Sequence, residues 1–248
     1  MDDDIDDVDG MPQLPSDTLR LLNDFLAEKD AKQKHFESLK DQAENDFASS
    51  QQGPLTMEAF GEDWQASQFW YTDETARTLA EQLLDGATSK TFIAIVSAPS
   101  VYITLRNIIH GVPDVERPVL KLLEYDRRFE VFGNDFVYYD FEQPLRLPAE
   151  LKNQFDRVIC DPPFLSDDCQ TKTALSVRYL AKSWTPIGEG KPNLRFISCT
   201  GERVGEIIAS LYGRLGVKTT SFEPKHSKGL SNEFRCYANF ECEAWKWR

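Results

Sequence analysis

The sequence has little that would build a metal site, a disulfide framework or a membrane span. Its five cysteines and three histidines are scattered and include no CxxC pair, which argues against structural zinc and against disulfides, so we expect no metal. It also lacks any run of 18 apolar residues, so no membrane-spanning helix is predicted. The first residues lack the basic and apolar regions of a signal peptide. Together these absences lead us to expect a cytoplasmic protein.

Positive charge is also scarce. The formal net charge is -13, from 28 Lys and Arg against 41 Asp and Glu. Six aspartates lie within residues 1–10, whereas residues 64–248 hold 24 acidic and 23 basic side chains. No strongly basic field is present for tight binding of duplex DNA, so we do not expect a nucleic-acid partner. The acidic start is either a solubilising tail or a surface that steers a basic partner toward the protein.

The 248 residues suit one domain with an appendage. Residues 1–13 are acidic and almost without core-forming side chains, which predicts a disordered tail. Residues 14–63 carry apolar side chains at helical spacing and include a break at Gln51-Gln52-Gly53-Pro54, which predicts a helical extension. The main domain is predicted at residues 64–248, and we expect a monomer.

Strands and helices alternate along the main domain. Its first strand is the unbroken apolar run 92–96, as expected for a strand that is buried on both faces. Further strands are predicted at 119–124, 136–140, 155–160, 194–198, 217–222 and 235–243. One helix is predicted to begin near Thr72, two more lie at 100–110 and 172–182, and a fourth ends near Tyr212. This order predicts a Rossmann-like, doubly wound α/β fold with seven mostly parallel strands, helices on both faces and an antiparallel edge. In such a sheet, ligands bind at the carboxyl ends of the strands.

The most distinctive motif is Asp161-Pro162-Pro163-Phe164, directly after the fourth predicted strand. The Asp161 carboxylate and the Pro162 carbonyl can each accept a hydrogen bond from an amine, and the Phe164 ring can stack on a base or lie over an ammonium group. The two proline rings stiffen the turn. This set suits methyl transfer from a sulfonium to a nitrogen, a reaction in which positioning supplies most of the acceleration. The alternative is a rigid turn without a chemical role.

Three other strand ends could hold a nucleoside. Ser97-Ala98-Pro99 follows the first strand, where a nucleotide-binding fold usually has glycines, so an ordinary turn is the alternative there. Glu124 ends the second strand and could accept both ribose hydroxyls, or it could be a solvated surface acid. Tyr139 and Asp140 end the third strand and could hold an adenine ring and its amine, or they could be a core aromatic and a turn acid.

A cluster of aromatic residues precedes the first helix of the main domain. Phe69-Trp70-Tyr71 could cover a cofactor with its ring faces, or it could fill the core. None of the three histidines sits at a predicted strand end, so no general base is evident from the sequence.

Five motifs together resemble the eukaryotic lysine methyltransferases of translation elongation factor 1-alpha. They are Ser-Gln-Phe-Trp-Tyr at 67–71, Val-Ser-Ala-Pro-Ser-Val-Tyr at 96–102, Leu-Leu-Glu-Tyr-Asp at 122–126, Tyr-Asp at 139–140 and Asp-Pro-Pro-Phe-Leu at 161–165. This family was first described by its similarity to N6-adenine DNA methyltransferases, and the resemblance runs from about Gln68 to the C-terminus. It implies a class I methyltransferase fold, S-adenosyl-L-methionine as cofactor, elongation factor 1-alpha as partner and a cytoplasmic setting.

Two other functions are compatible with the same residues. The Asp-Pro-Pro-Phe motif could serve the amine of a flipped adenine in DNA or RNA, with Phe164 stacked on the base. The missing glycine loop could instead indicate a binding module that kept the fold without the catalysis.

Overall fold

The computed structural model describes residues 68–185, 194–229 and 233–248, together with Arg20, Lys34, Ser38, Met57 and Phe60. The predicted tail at 1–13 and nearly all of the predicted extension at 14–63 lie outside the described residues.

Helices and strands alternate through the described part of the main domain. The α-helices are α1 (Asp73–Leu84), α2 (Pro99–Ile109), α3 (Asp167–Leu180) and α4 (Gly205–Tyr212). The strands are β1 (Phe92–Val96), β2 (Val119–Glu124), β3 (Phe136–Tyr138), β4 (Arg157–Cys160), β5 (Arg195–Gly201), β6 (Lys218–Thr219) and β7 (Phe234–Ala238). None of the helices in the described ranges has the length and apolar character needed to cross a membrane.

The strands form one sheet in the order β3-β2-β1-β4-β5-β7-β6. Strands β1 to β5 run parallel, and β7 runs antiparallel to both β5 and β6. A parallel connection needs a long crossover, whereas the chain between β6 and β7 contains no helix among its described residues, so these strands pair as an antiparallel edge. The predicted fold class is confirmed.

Both faces of the sheet are covered by helices. Ile93 and Ile95 of β1 pack with α1 and α2 on one face, and Ala94 and Val96 pack with α3 and α4 on the other. Successive side chains of a strand point to opposite faces, so a strand that is covered twice must be apolar at every position. This explains why β1 is an unbroken apolar run.

Several element boundaries differ from the prediction, and the largest differences have identifiable causes. Helix α3 begins five residues early because the Ser166 side chain caps it by accepting a hydrogen bond from the Cys169 amide at 3.3 Å. Strand β6 has two residues rather than six because the following chain pairs with the C-terminus. There, Thr220 bridges Trp247, and the Ser221 amide donates to the Lys246 carbonyl at 2.7 Å.

Strand β7 also ends early, at Ala238, because the next side chain turns inward. Asn239 is buried; its Oδ1 accepts from the Phe196 amide at 2.8 Å, and its Nδ2 donates to the Leu194 carbonyl at 2.7 Å. One side chain therefore satisfies two backbone groups at the start of β5, where water could not replace it.

We expect Asn239→Ala to lower the free energy of unfolding by about 2–4 kcal/mol, because it leaves two buried backbone groups without partners. The exposed Asn134 provides the matched control, since Asn134→Ala should change stability by less than about 0.5 kcal/mol. Urea unfolding of both variants checks the prediction. Equal, small changes in the two variants would show that the Asn239 hydrogen bonds contribute nothing.

Candidate active site

The strand order creates a crevice between β1 and β4. The chain leaves β1 for β2 and β3 on one side and returns through β4 on the other. The connections after β1 and β4 therefore diverge, and ligands bind in such crevices of open α/β sheets. A cavity of about 520 Å³ lies at this place, within the size range of small-molecule sites.

Every residue that the sequence nominated for the site lines this one cavity. They are Phe69, Trp70, Tyr71, Ser97, Ala98, Pro99, Glu124, Tyr139, Asp140, Asp161, Pro162, Pro163 and Phe164. The structure thus brings the strand ends together as the topology predicted, while the role of each residue remains a prediction.

Eight further residues line the cavity and were not nominated. They are Gln68, Ser100, Tyr125, Phe141, Glu142, Leu165, His226 and Phe234. Five of them directly neighbour nominated residues in the chain and could have been included on that ground, and Glu142 lies two residues beyond Asp140. His226 lies in the connection between β6 and β7, and Phe234 is the first residue of β7. No local sequence signal marks either residue. Their position depends on how the C-terminal edge folds back.

Asp161 is held from two sides. Its amide donates to the Val96 carbonyl at 3.0 Å, which ties the strand end to β1, and its Oδ2 accepts from the Tyr71 hydroxyl at 2.5 Å. Its Oδ1 makes no hydrogen bond to any of the described residues. Desolvation raises the pKa of Asp161 to about 7, against the opposing effect of the Tyr71 hydrogen bond. Asp161 therefore offers one oriented oxygen to the cavity.

Phe164 projects from a fixed backbone. The Gln170 side chain donates to the Phe164 carbonyl at 2.9 Å, and the ring meets the Phe141 ring edge-on at 5.5 Å between centroids. The Phe164 side chain nevertheless remains 44% exposed. A large apolar ring that faces solvent beside a cavity is available for contact with a second molecule.

Ser97 supplies the turn for which nucleotide folds usually use glycine. Its φ angle is 56°, in the left-handed region that favours glycine, and its amide donates to the Leu123 carbonyl at 2.9 Å. Ala98 is buried, and α2 begins at Pro99 with its amino end near the cavity. The glycine-free loop therefore holds a serine in a backbone conformation that glycine adopts more easily.

Glu124 is buried at the end of β2 with one oxygen committed. Its Oε1 accepts from the amides of Tyr125 at 2.9 Å and Asp126 at 3.2 Å, while its Oε2 makes no hydrogen bond to the described residues. Burial raises the pKa of Glu124 to about 7. This acid is not a solvated surface charge, and it lines the cavity with one oxygen that the described residues leave unbonded.

The side chains at the end of β3 form more of their hydrogen bonds within the protein. The Tyr139 hydroxyl and the Ser176 hydroxyl form a 3.0 Å hydrogen bond, and burial raises the pKa of Tyr139 to about 12. The Asp140 carboxylate accepts from the Glu142 amide at 2.9 Å and from the Gln143 side chain at 3.2 Å. Asp140 thus orders its own turn, and it can meet a ligand only through its remaining lone pairs.

The aromatic segment before α1 serves both core and cavity. Trp70 is buried, its indole nitrogen donates to the Phe60 carbonyl at 2.7 Å, and its ring packs edge-on against Phe129. The Tyr71 ring lies 4.9 Å from the His226 ring, and the two residues form an antiparallel bridge. Trp70 therefore belongs to the core and the segment also lines the cavity, while its role as a cover for a cofactor stays a prediction.

A buried ion pair anchors the start of the same segment. The Arg128 guanidinium contacts the Asp126 carboxylate at 2.5 Å, with side-chain exposures of 6% and 7%. Gln68 completes the network by donating to Asp126 and accepting from Arg128, each at 2.8 Å. This network positions the segment beside the end of β2.

The strand order, with β7 antiparallel beside β5, is that of the class I methyltransferase fold. A family model described as "Probable N6-adenine methyltransferase" matches residues 62–242. The chain is similar to protein-lysine N-methyltransferase EFM5 of Saccharomyces cerevisiae, with 45% identity over 241 residues and 94% coverage of both chains.

Two vertebrate relatives are similar over nearly their whole length. The EEF1A lysine methyltransferase 1 of Gallus gallus is 43% identical over 241 residues, covering 97% of this chain and 98% of that protein. The enzyme of the same name from Homo sapiens is 37% identical over 234 residues, covering 94% of each. The chain therefore belongs to the eukaryotic EEF1A lysine methyltransferase family, as its motifs predicted.

The left-handed backbone at Ser97 leads to a stability prediction. Ser97→Val should lower the free energy of unfolding by about 1–3 kcal/mol, because a β-branched side chain is strained at a positive φ angle. Ser97→Gly should keep stability within about 1 kcal/mol of the original, since glycine adopts this conformation freely. Urea unfolding of the pair checks the prediction, and equal losses in both variants would contradict it.

Proposed function

We propose that this chain is an S-adenosyl-L-methionine-dependent protein-lysine N-methyltransferase that acts on translation elongation factor 1-alpha. The names of its relatives support the substrate, and the charge of the cavity is the observation that carries the proposal. We also propose that it works as a monomer in the cytoplasm. Its five cysteines are all free, which suits a reducing compartment.

The cavity is acidic. Four carboxylates line it, those of Glu124, Asp140, Glu142 and Asp161, and none of the described lining residues is Lys or Arg. Lys172, from outside the lining, pairs with Glu142 and leaves the other three carboxylates without a Lys or Arg partner in the lining. Such a lining attracts a lysine ammonium and a sulfonium, both of which are cations, and repels the phosphates of a nucleic acid. The observation favours a protein lysine over an adenine in DNA or RNA.

The residues on the β1 and β2 side of the cavity fit the nucleoside half of the cofactor. The open Oε2 of Glu124 is an acceptor for ribose hydroxyls, and the glycine-like backbone at Ser97 allows close approach. Aromatic and acidic side chains at Tyr139 and Asp140 can border the base. When bound, S-adenosyl-L-methionine supplies a methyl group on an electrophilic sulfonium.

The residues after β4 orient the acceptor. The free Oδ1 of Asp161 accepts an N–H of the lysine amine, which directs the nitrogen lone pair, and Phe164 lies at the mouth to cover the aliphatic chain or the ammonium. The acidic lining favours the ammonium form of the lysine, whereas the desolvation that raises the pKa of Asp161 disfavours that form, so desolvation is the effect that assists deprotonation.

Adenine methylation is the second candidate, because the matching family model carries that description. The exposed Phe164 ring could stack on a flipped base. The acidic lining is the evidence against it. The missing glycine loop was the reason to consider a binding module without catalysis. The glycine-like backbone conformation of Ser97 removes that reason.

A labelled methyl donor separates these functions. Wild-type protein, incubated with labelled S-adenosyl-L-methionine, elongation factor 1-alpha and nucleic acid, should transfer label to a product that protease, and not nuclease, degrades. Asp161→Asn should reduce this transfer by about 100-fold or more, because the amine loses its charged acceptor, while the isosteric side chain keeps the fold.

Two results would contradict the proposal. Label that nuclease alone releases would assign the adenine reaction, and unchanged turnover of Asp161→Asn would remove the carboxylate from the mechanism. Circular dichroism and calorimetric binding of the donor serve as controls that the variant is folded and loaded.

Glu124 yields a pH prediction for donor binding. Burial raises the pKa of Glu124 to about 7, so its carboxylate is mostly protonated at pH 6 and mostly ionised at pH 8, where it accepts hydroxyl hydrogen bonds better. Donor affinity should therefore rise between pH 6 and pH 8. Glu124→Gln should weaken binding at pH 8 by roughly 10- to 100-fold and flatten this rise. Calorimetry at both pH values tests this, and a variant with the original pH dependence would exclude Glu124 as its source.

A further inference from the structure

We infer that Tyr71 is a positioning residue that favours the ionised form of the Asp161 carboxylate and turns its free oxygen toward the acceptor amine. This role differs from the aromatic cover that the sequence indicated for Tyr71, and it rests on the proposed function of Asp161. Two observations support the inference. The Tyr71 hydroxyl donates a 2.5 Å hydrogen bond to Asp161 Oδ2, and hydrogen bonds fix the backbone on both sides of Tyr71.

The backbone around Tyr71 is fixed on two sides. The Tyr71 amide donates to the Ser100 hydroxyl at 3.3 Å, which ties it to the start of α2. On the other side, the Thr72 amide donates to the Lys225 carbonyl at 2.9 Å, and the Ser227 amide donates to the Trp70 carbonyl at 2.8 Å. A short antiparallel ladder therefore holds the segment against the connection that follows β6. Because its backbone is fixed in this way, Tyr71 holds its hydroxyl at one position in the cavity.

The direction of the hydrogen bond determines its effect. Burial raises the pKa of Tyr71 well above its usual value, with a further contribution from the Asp161 charge, so the hydroxyl stays protonated and can only donate to the carboxylate. A donor to an ionised carboxylate stabilises the charged form. Because the donor occupies Oδ2, the rotamer is set, and Oδ1 is the atom left for the amine.

The other groups around Asp161 make this donor necessary. Desolvation and the nearby Glu124 charge both raise the pKa of Asp161, and the Tyr71 hydrogen bond opposes them. The remaining titratable groups that line the cavity or face this pair are Tyr125, Tyr139, Asp140, Glu142, Cys160, Cys199 and His226. None of the described lining residues is Lys or Arg, so this donor replaces the positive charge that usually keeps a buried carboxylate ionised.

Tyr71→Phe removes the hydroxyl and keeps the ring against His226. The matched control is Tyr102→Phe, because the Tyr102 hydroxyl also donates to a carboxylate, Asp135 Oδ2 at 2.9 Å, and Tyr102 lies outside the cavity lining. The first measurement is a carbon-13 NMR titration of the Asp161 carboxyl, assigned by its loss in Asp161→Asn. We expect the pKa of Asp161 to rise by about one unit in Tyr71→Phe and to stay unchanged in Tyr102→Phe.

The second measurement is the ratio of kcat/KM for Tyr71→Phe over wild type between pH 6 and pH 9. Taking the ratio cancels the ionisation of the acceptor lysine itself. We expect it to rise about tenfold across this range, because the variant regains its carboxylate charge only at higher pH. At pH 9 both carboxylates are ionised, so a loss of kcat/KM that persists there reports the contribution of the hydroxyl to orienting the carboxylate.

The two measurements keep this inference separate from the proposed function. An inactive wild-type protein would overturn the function, and the NMR titration would still decide on Tyr71. If Tyr71→Phe does not fold, the Tyr71 ζ-carbon signal of the wild-type protein should still follow the Asp161 titration. An unshifted Asp161 pKa, a flat ratio from pH 6 to 9, or a ζ-carbon signal that ignores that titration would each overturn the inference.

Discussion

Burial of the parallel sheet on both faces is the constraint on which the rest of this structure depends. Helices cover both faces, so every residue of β1 is apolar, and the polar chemistry of the domain is displaced to the strand ends. The order of the strands then separates the connections after β1 and β4. A cavity follows from this arrangement, and it is lined by the residues that directly follow the strands.

The chemistry of the cavity comes from two acids that burial removes from water. Glu124 and Asp161 are each partly satisfied by protein donors, and each keeps one oxygen for a ligand. Their shared negative charge is costly, and that cost is offset by local donors rather than by a basic side chain among the described residues of the lining. A cation that enters such a site lowers this cost, because an opposite charge favours the ionised carboxylates.

The sequence predicted the strand ends well because their signals are local. An apolar run followed by Asp161-Pro162-Pro163-Phe164, or by Glu124, marks the end of a strand and names the residues there. It predicted the edges less well. Strand β6 is short because the C-terminus pairs beside it, and α3 starts early because Ser166 caps it, and only the cap has a local signal.

The sequence alone determined the fold class, the family and the residues at each strand end, since periodicity, turn chemistry and motif spacing are properties of neighbouring residues. Only the tertiary structure decided that His226 and Phe234 reach the cavity, and that Tyr71 donates to Asp161 rather than serving only as a cover. These contacts join residues that are far apart in the chain. They exist because the connection after β6 folds back onto the segment before α1, and no local pattern encodes that approach.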